Sequence, residues 1–335
     1  MKNKFVMELK PGMKVDDIFM VKNSDTKTDK NGNYYLDMTV SDNSGDIVCR
    51  KFRATNEEIE CAKVGKVLKI SGMVKEYNGN INFNANTMEC IYEDQYNILD
   101  FIAAAPIKPE NMLSEIKVFI NKIQNKEIRK VVIEILSIYK DKLMYYPAAK
   151  ANHHSIKSGL LYHMLRMLKT GEAIGSVYEN INMDLVYAGV LLHDICKIEE
   201  MDSNAFGVVE DYTMEGKLLG HIVMGIKIIE KVADKLQVES EIKIILEHLL
   251  LTHHYEPEYG SPKKPMFLEA EILHYLDIID ARVFDFEKAL KGVEPGNFSD
   301  RVWVLDNRTI YNTVYDKEQE IKEISAGEQL RISQE

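Results

Sequence analysis

Two regions of the chain differ in the spacing of their hydrophobic residues. Between residues 13 and 92, short runs such as "NYYLDMTVSD" and "VLKISGMVKEY" alternate apolar and polar positions, which is typical of strands with one buried face. In the first of these runs Leu36, Met38 and Val40 should lie inside. Tyr35 should face outward. Segments such as "DNSG" and "YNGN" separate the runs. They predict tight turns, because glycine tolerates the positive φ that such turns require.

The strand-rich region contains five such runs, with one helical segment, "TNEEIECAKVG", between the third and the fourth. Three strands, a helix and two strands is the element order of an OB-fold barrel. From about residue 98 the hydrophobic residues recur with the spacing of a helix. This spacing predicts one helix in each of several segments, among them "DLVYAGVLLHDICKI" and "KLLGHIVMGIKIIEKVADKL". We therefore predict a multidomain chain, an N-terminal all-β OB-fold barrel followed by an all-α helical bundle. The predicted boundaries are 1–95 for the barrel, 96–111 for a linker, 112–315 for the helical domain and 316–335 for a charged tail.

Composition narrows the class of protein. With 335 residues, 45% hydrophobic and 28% charged, the chain matches an ordinary soluble globular protein. No segment approaches the roughly 20 apolar residues of a membrane span, and no signal peptide is evident at the N-terminus, so we expect a cytoplasmic protein. The four cysteines have no CxxC spacing, which argues against a thiolate zinc site and a disulfide scaffold. We expect them to be reduced.

The net charge of -11 argues against a protein that coats nucleic acid through bulk positive charge. The acidity is uneven, because the first 95 residues hold 14 Lys and Arg against 15 Asp and Glu. The predicted barrel is therefore the better candidate for binding a polyanion.

All nine histidines fall between His153 and His274, and several lie in otherwise apolar helical segments together with aspartates. An unpaired buried carboxylate is costly, so a chain keeps one only where its charge is compensated. Mixed imidazole and carboxylate groups suit first-row metal ions, and seven ligands indicate two ions. The candidate ligands are His163, His193, Asp194, His221, His253, His254 and Asp277. We expect Asp194 to bridge the two ions. His248 and His274 are interpreted as ordinary hydrogen-bonded core histidines.

Lys197 follows His193 by four residues and Asp194 by three, so it should project from the same helical face. Two interpretations stay open. Its cation could contact a substrate phosphate as a catalytic group, or it could be a solvent-facing lysine that the helix dipole favours near a C-terminus.

Several of these residues, and the motifs around them, resemble those of a known family. His163, the adjacent His193 and Asp194, and Asp277 are similar to the H…HD…D signature of HD-domain phosphohydrolases. "PAAKANHHSIKSGLLYH", "EGKLLGHI", "HHYEPEYGSPKKP" and "EAEILHYLDIIDA", after an OB-like segment, resemble the YhaM-type 3′-to-5′ exoribonucleases over nearly the whole chain. Two positions depart from the family pattern: Ser158 stands where the family has glycine, and Cys196 replaces the glycine of HDxGK.

The resemblance implies a divalent-metal hydrolase, with Mn²⁺ favoured and Fe, Co, Mg or Zn as alternatives. It implies 3′-to-5′ removal of nucleotides from single-stranded RNA, with single-stranded DNA as a further substrate and nucleoside 5′-monophosphates as products. It also suggests that His153 or His154 lines the substrate channel, although either could simply cap a helix. Arg308 is a candidate phosphate contact, with an ordinary salt bridge as the alternative.

An OB-like barrel would add aromatic and cationic contacts to a single strand. The candidates on the second and third strands are Tyr35, Arg50, Lys51, Phe52 and Arg53, with core packing of Phe52 and a solvated basic strand as the alternatives. Two other functions stay open: a phosphodiesterase of cyclic dinucleotides or small nucleotides, and a non-catalytic single-strand-binding factor in replication or repair. A homo-oligomer is also left open.

Overall fold

The structure is a computed structural model that describes residues 2–30, 32–77, 80–92, 95–150, 154–204 and 207–314. Five strands form a closed barrel in the order β1-β2-β3-β5-β4. Their bounds are β1 Lys14–Thr28, β2 Tyr34–Asp42, β3 Gly45–Phe52, β4 Val67–Tyr77 and β5 Asn80–Cys90. Only β3 and β5 pair in parallel, and the other neighbouring strands are antiparallel. The predicted OB-fold barrel is confirmed.

The barrel interior follows from the alternation along the strands. On β2, Leu36, Met38 and Val40 are at most 2% exposed, and they pack with other strand residues such as Phe19 and Phe83. Between β3 and β4 lies helix α1 (Asn56–Cys61), which begins with a reciprocal capping box between Thr55 and Glu58. The local sequence signals and the barrel core therefore favour the same arrangement.

The expectation of four reduced cysteines was wrong. Cys61, at the end of α1, and Cys90, at the end of β5, form a disulfide with a Cα–Cα distance of 5.5 Å, whereas Cys49 and Cys196 are free and buried. The two bonded residues are 29 positions apart in the sequence, and only closure of the barrel brings them together. Spacing along the chain therefore gave no signal of the pair.

The rest of the fold is mainly helical, as predicted. The helices are α2 Pro109–Lys122, α3 Lys126–Leu143, α4 Gly159–Gly175, α5 Met183–Leu192, α6 Lys197–Glu200, α7 Met214–Leu236, α8 Ser240–Thr252 and α9 Leu268–Leu290. Their apolar faces share one continuous core that includes Val132, Leu165, Leu192, Leu249 and Leu273. None of the helices in the described ranges is long and apolar enough to cross a membrane.

Two predicted helices are interrupted at the candidate ligands. The segment predicted as one helix over 184–198 ends at Leu192, and α6 starts only after a turn over 193–196. Helix α7 contains Gly220 with φ 71° and ψ 161°, a backbone conformation outside the helical region. The helical domain also contains a two-stranded hairpin, β6 (Met201–Ser203) with β7 (Val209–Tyr212). Hydrophobic periodicity did not predict these features, because it reports the buried face and not local breaks in the backbone.

The segment predicted as a linker is partly packed in the structure. Phe101 and Ile102 are buried in a small core with barrel residues Ile18, Met20 and Val67. Backbone contacts divide the chain into two compact units, 1–280 and 281–335. In the described part of the second unit, isolated bridges join Phe298 to Tyr311 and Val302 to Arg308.

Candidate metal centre

The structure brings the seven candidate ligands together in the interior of the first unit. Among the described residues, three groups of side chains place one potential ligand atom each within 4.8 Å of the others in the group, and two of these groups consist of the seven candidates. One group is His163, His193 and Asp277, and the other is Asp194, His221, His253 and His254. They come from α4, from the turn after α5, from α7, from the turn after α8, and from α9. Elements that are distant in sequence therefore converge on one region.

Asp194 lies between the two groups, and its two oxygens face different histidines. Its Oδ2 is 3.3 Å from Nε2 of His193 and 4.0 Å from Nε2 of His163. Its Oδ1 is 3.4 Å from Nε2 of His221 and 3.7 Å from Nε2 of His253. A carboxylate with one oxygen toward each ligand group has the arrangement needed to bridge two cations. Asp277 adds a second acid, with Oδ1 3.3 Å from Nε2 of His163.

Hydrogen bonds fix how three of the histidine rings are turned. Nδ1 of His193 donates to the Val190 carbonyl at 3.0 Å, and Nδ1 of His253 donates to the Leu250 carbonyl at 2.7 Å. Nδ1 of His254 donates to the carbonyl of Tyr259 at 2.6 Å. Because a carbonyl oxygen only accepts, the hydrogen in the neutral ring must lie on Nδ1. Each Nε2 is then left with the lone pair that a metal requires.

Two more rings are held by carboxylates that the sequence did not point to. Nδ1 of His163 lies 2.7 Å from Oδ2 of Asp280, and Nδ1 of His221 lies 3.1 Å from Oε1 of Glu200. A carboxylate behind a ligating imidazole fixes the ring orientation and raises its basicity. Asp280 follows Asp277 by three residues on α9, and this spacing was the one signal that could have suggested its role. Glu200 had no such signal.

The helix break at Gly220 has a direct consequence for His221. A residue with a Cβ rarely adopts a φ of 71°, so glycine permits the change of direction just before the ligand. Farther back, Thr213 caps α7 by accepting a hydrogen bond from the amide of Gly216 at 2.9 Å. A Cβ at Gly216 would lie 2.1 Å from the backbone oxygen of Glu200. Within "EGKLLGHI", Gly216 therefore allows close packing against Glu200, and Gly220 allows the change of direction that turns His221 toward the candidate metal centre.

The donor set fits divalent metal ions. The Nε2 atoms of His193, His221 and His253 and the Oδ1 atom of Asp194 are buried and have no hydrogen-bond partner among the described residues. Leaving buried polar atoms unsatisfied is costly, and here they face one another. Ligand atoms about 2.1 Å from one ion lie about 3.0 to 3.5 Å apart, close to the observed spacings. Imidazole with carboxylate ligands suits Mn, Fe, Co or Zn.

The electrostatic environment keeps both acids ionised. Burial opposes the charge of Asp194, but the charge of Lys197, together with hydrogen bonding to neighbouring histidines, holds the pKa of this carboxyl well below its usual range. Burial likewise opposes ionisation of Asp277, and its hydrogen bond to His163 holds its pKa well below the usual range. Burial lowers the pKa of His253. Burial, together with the electrostatic interaction with the neighbouring His253, lowers the pKa of His254 to about 3, so His254 is neutral and available as a ligand near pH 7.

His163 differs, and this difference predicts a pH dependence of metal binding. Burial lowers its pKa, but hydrogen bonds to Asp277 and Asp280 outweigh burial and raise the pKa to about 9. Below that pH the ring carries a proton that a cation at Nε2 must displace. We expect apparent Mn²⁺ affinity to rise from about pH 6 to about pH 8, by up to about tenfold per pH unit for one displaced proton. Calorimetric titrations across this range measure it, and an affinity independent of pH would contradict this account.

Lys197 is not a solvent-facing lysine. Its side chain is 11% exposed and its Nζ lies 2.7 Å from Oδ2 of Asp194. Burial lowers its pKa, but the charges of Asp194 and Asp277 outweigh burial and raise it. The residue is therefore a buried cation beside the proposed bridging carboxylate.

His154, one of the two candidate channel residues before α4, lies inside the fold. His154 is fully buried, and its Nε2 lies 2.7 Å from Oδ2 of Asp280, behind His163. His153 lies outside the described residues. Ser158, at the position of the family glycine, adopts a left-handed φ of 61°, whereas Cys196 has an ordinary φ of -79° and is accommodated without strain.

The barrel candidates do not form a uniform basic face. Phe52 is 54% exposed, and its ring stacks on Tyr35 with a centroid distance of 5.7 Å. Arg50 pairs with Asp37 at 3.0 Å and stays partly exposed, and Arg53 is exposed with φ 54°. Lys51 is 8% exposed and its Nζ lies 3.2 Å from Glu58, so its charge is already paired. The outer surface here is an aromatic pair with arginines beside it.

The remaining candidates have ordinary local partners. In the second unit, the Nε of Arg308 donates to the Leu305 carbonyl at 2.8 Å, and its NH2 group lies 3.3 Å from Asp306. Nδ1 of His274 lies 2.8 Å from the carbonyl of His253. The Nε2 of His248 accepts the amide hydrogen of Met266 at 3.1 Å. Both histidines are hydrogen-bonded as expected, but they are half-buried and not part of the core.

Comparison with known proteins adds an independent line of support. Residues 160–282 match the HD domain family, and residues 20–91 match the family described as OB-fold nucleic acid binding domain. The chain is 36% identical over 313 residues to "3′-5′ exoribonuclease YhaM" of Geobacillus sp. (strain WCH70), covering 93% of this chain and 96% of that protein. It is 36% identical over 315 residues to the protein of the same name from Bacillus subtilis (strain 168), covering 94% and 99% of the two chains.

Proposed function

The chain belongs to the YhaM family of 3′-5′ exoribonucleases, and from this premise we propose that it hydrolyses single-stranded RNA from the 3′ end. It is an enzyme of the hydrolase class, as the HD domain and the relatives together establish. The proposed products are nucleoside 5′-monophosphates, and single-stranded DNA is a second proposed substrate. The resident metal is proposed to be Mn²⁺.

The observation that supports this function most directly is the placement of Asp194 between two groups of ligands. We assign His163, His193 and Asp277 to one ion and His221, His253 and His254 to the other. When bound, two such ions would lower the pKa of a water molecule and neutralise charge on the phosphate oxygens. The carbonyl and carboxylate contacts at Nδ1 keep the rings oriented before substrate arrives, so little reorganisation is needed during the reaction.

Lys197 has a separate role in this proposal. It stays protonated because Asp194 and Asp277 raise its pKa, and its ammonium group lies 2.7 Å from Oδ2 of Asp194. A fixed cation in a buried site stabilises negative charge that develops on the non-bridging oxygens in the transition state. We therefore assign Lys197 to electrostatic stabilisation and not to metal binding.

We propose a division of labour between the domains, with residues 1–95 holding the strand and residues 112–315 cutting it. Aromatic rings stack on bases with little sequence preference, and nearby arginines follow the phosphates. The exposed ring of Phe52, supported by Tyr35, provides such a surface, with Arg50 and Arg53 on the same strand or directly after it. Because Lys51 is paired with Glu58, we assign it a smaller part.

The test of the proposed function uses single-stranded RNA labelled at its 5′ end, incubated with the full-length protein and Mn²⁺. We expect a ladder that shortens from the 3′ end and release of nucleoside 5′-monophosphates. The matched reaction with chelator should show no products. Cleavage confined to a cyclic dinucleotide would instead indicate the small-nucleotide phosphodiesterase, and a gel shift without cleavage in Mn²⁺ would indicate a binding factor.

Replacing Phe52 with alanine should weaken binding of long strands without harming the chemistry. Loss of one base-stacking surface costs about 1 to 3 kcal/mol, so the Kd for a strand of about 20 nucleotides should rise at least about fivefold. Turnover of a dinucleotide should be unchanged, since the barrel has no part in it. The measurement is fluorescence anisotropy in chelator, where no cleavage occurs. Tyr178→Ala removes another exposed aromatic ring and serves as the control; equal affinities in all three proteins would mean that the barrel ring does not contact RNA.

A further inference from the structure

The rings at the candidate metal centre are supported in two different ways. Main-chain carbonyls hold His193, His253 and His254, and these supports come with the local fold. Carboxylates hold His163 and His221. Each ligand group therefore contains one ring with an anionic support. The proposed function uses neither Glu200 nor Asp280 directly, so the purpose of these two buried acids is a separate question.

Glu200 makes two bonds to one residue. Its Oε1 accepts the backbone amide hydrogen of His221 at 3.0 Å and the ring Nδ1 hydrogen at 3.1 Å. The break at Gly220 makes His221 the start of the second half of α7, where an amide hydrogen needs a partner from outside the helix. One carboxylate oxygen thus caps the helix and sets the angle of the ring. Among the described residues, Glu200 is hydrogen-bonded to a ligand in the group that contains His221 and to none in the group that contains His163.

Asp280 serves the other group through a wider network. Its Oδ2 lies 2.7 Å from His163 Nδ1 and 2.7 Å from His154 Nε2, and its Oδ1 accepts from Arg166 at 2.5 Å. Arg166 is three residues after His163 on α4, and Asp280 is three residues after Asp277 on α9. Ligand and support are therefore neighbours on each helix face. The network joins the two helices on one side of the centre.

Resting on the two-ion centre proposed above, we propose that Glu200 and Asp280 are positioning residues that support the two ion positions separately. Glu200 acts through His221 on one position, and Asp280 acts through His163 on the other. Asp194 faces histidines of both groups, whereas Glu200 and Asp280 share no hydrogen-bond partner among the described residues. Weakening one support should therefore lower the affinity for one ion and leave the other nearly unchanged. Replacing an outer carboxylate of this kind costs about 10- to 100-fold in metal affinity.

The test titrates Mn²⁺ into full-length apoprotein and follows the free ion by electron paramagnetic resonance, a readout independent of activity. The wild-type protein should show two binding steps. Glu200→Gln should weaken one step by about 10- to 100-fold, and Asp280→Asn should weaken the other step by a similar factor. Glu199→Gln is the matched control, because this neighbouring acid accepts a hydrogen bond from Tyr139 at 2.7 Å and none from a histidine among the described residues. It should leave both steps unchanged.

The outcomes separate this proposal from the function on which it rests. If the wild-type protein binds fewer than two ions, both the two-ion centre and the separate supports are wrong. If the wild type shows two steps and Glu200→Gln weakens both alike, or neither, the separate supports alone are wrong. Circular dichroism checks folding of each variant. If Asp280→Asn loses its helical signal, Glu200→Gln decides the question by itself, because the proposal requires that one step move and the other stay.

Discussion

Asp194→Asn is expected to lower turnover of single-stranded RNA by at least about a thousandfold while the helical circular dichroism stays unchanged. The two oxygens of Asp194 face different histidine groups, and an asparagine amide supplies only one oxygen and no charge. Removing a single donor from a preorganised site already costs about 10² to 10³ in kcat, and this change also removes the proposed bridge. The measurement is kcat at saturating Mn²⁺, so that weakened metal binding does not hide the effect.

The control for this variant is Asp211→Asn. Asp211 is an exposed acid whose pKa is held low by its hydrogen bond to Lys217, so it matches Asp194 in ionisation but not in position. It should retain full activity. An Asp194→Asn protein with wild-type turnover would remove the bridging role from the account.

Lys197→Met is expected to lower kcat by about 10²- to 10³-fold, the second largest effect. The methionine retains the length and apolar contacts of the side chain but removes the buried cation next to Asp194. Mn²⁺ affinity should hold or increase, because a positive charge that competes with the ions has been removed. A lower kcat with unchanged or higher Mn²⁺ affinity would indicate transition-state stabilisation. If Lys197 only compensated charge in the folded protein, the substitution would change the melting temperature but not kcat.

Lys217→Met provides the matched control, since Lys217 pairs with Asp211 at an exposed position. Both variants lose one lysine ion pair, but only one loses it beside the metal centre. If the two variants had the same kcat, Lys197 would be a structural counter-ion and not a part of the chemistry.

The barrel was predictable from the sequence because each strand carries its own signal. Alternation on β2 separated the buried Leu36, Met38 and Val40 from Tyr35, and glycine-containing turns delimited most strands. The same pattern could not decide whether Phe52 was core or surface, since it lies at the end of β3. It also could not show that Lys51 turns toward Glu58 on α1, because that contact depends on how the helix packs.

The candidate ligands were predictable for another reason. Histidines and acids in apolar segments conflict with the local pattern, and such conflicts are expected at functional sites. The residues that orient these ligands produced no conflict. Glu200 stands in the charged sequence "KIEE", where an acid is unremarkable, and only the break at Gly220 brings its carboxylate to His221.

The breaks in the helices follow the same principle. Adjacent residues on a regular helix point about 100° apart, so His193 and Asp194 could not both face the centre from a regular helix without adjustment. The turn over 193–196 provides that adjustment. Hydrophobic periodicity continued across it, since Ile195 and Cys196 are buried as well. Sequence therefore identified the buried face correctly and missed the change in backbone.

The central claim is that imidazoles and carboxylates from five separate parts of the fold hold a pair of divalent ions. Elemental analysis of the full-length protein, purified without chelator and then loaded with Mn²⁺ and desalted, tests this claim most directly. We predict about two ions per chain in the wild type and fewer in Asp194→Asn. A wild-type protein that retains no metal after loading would contradict the account.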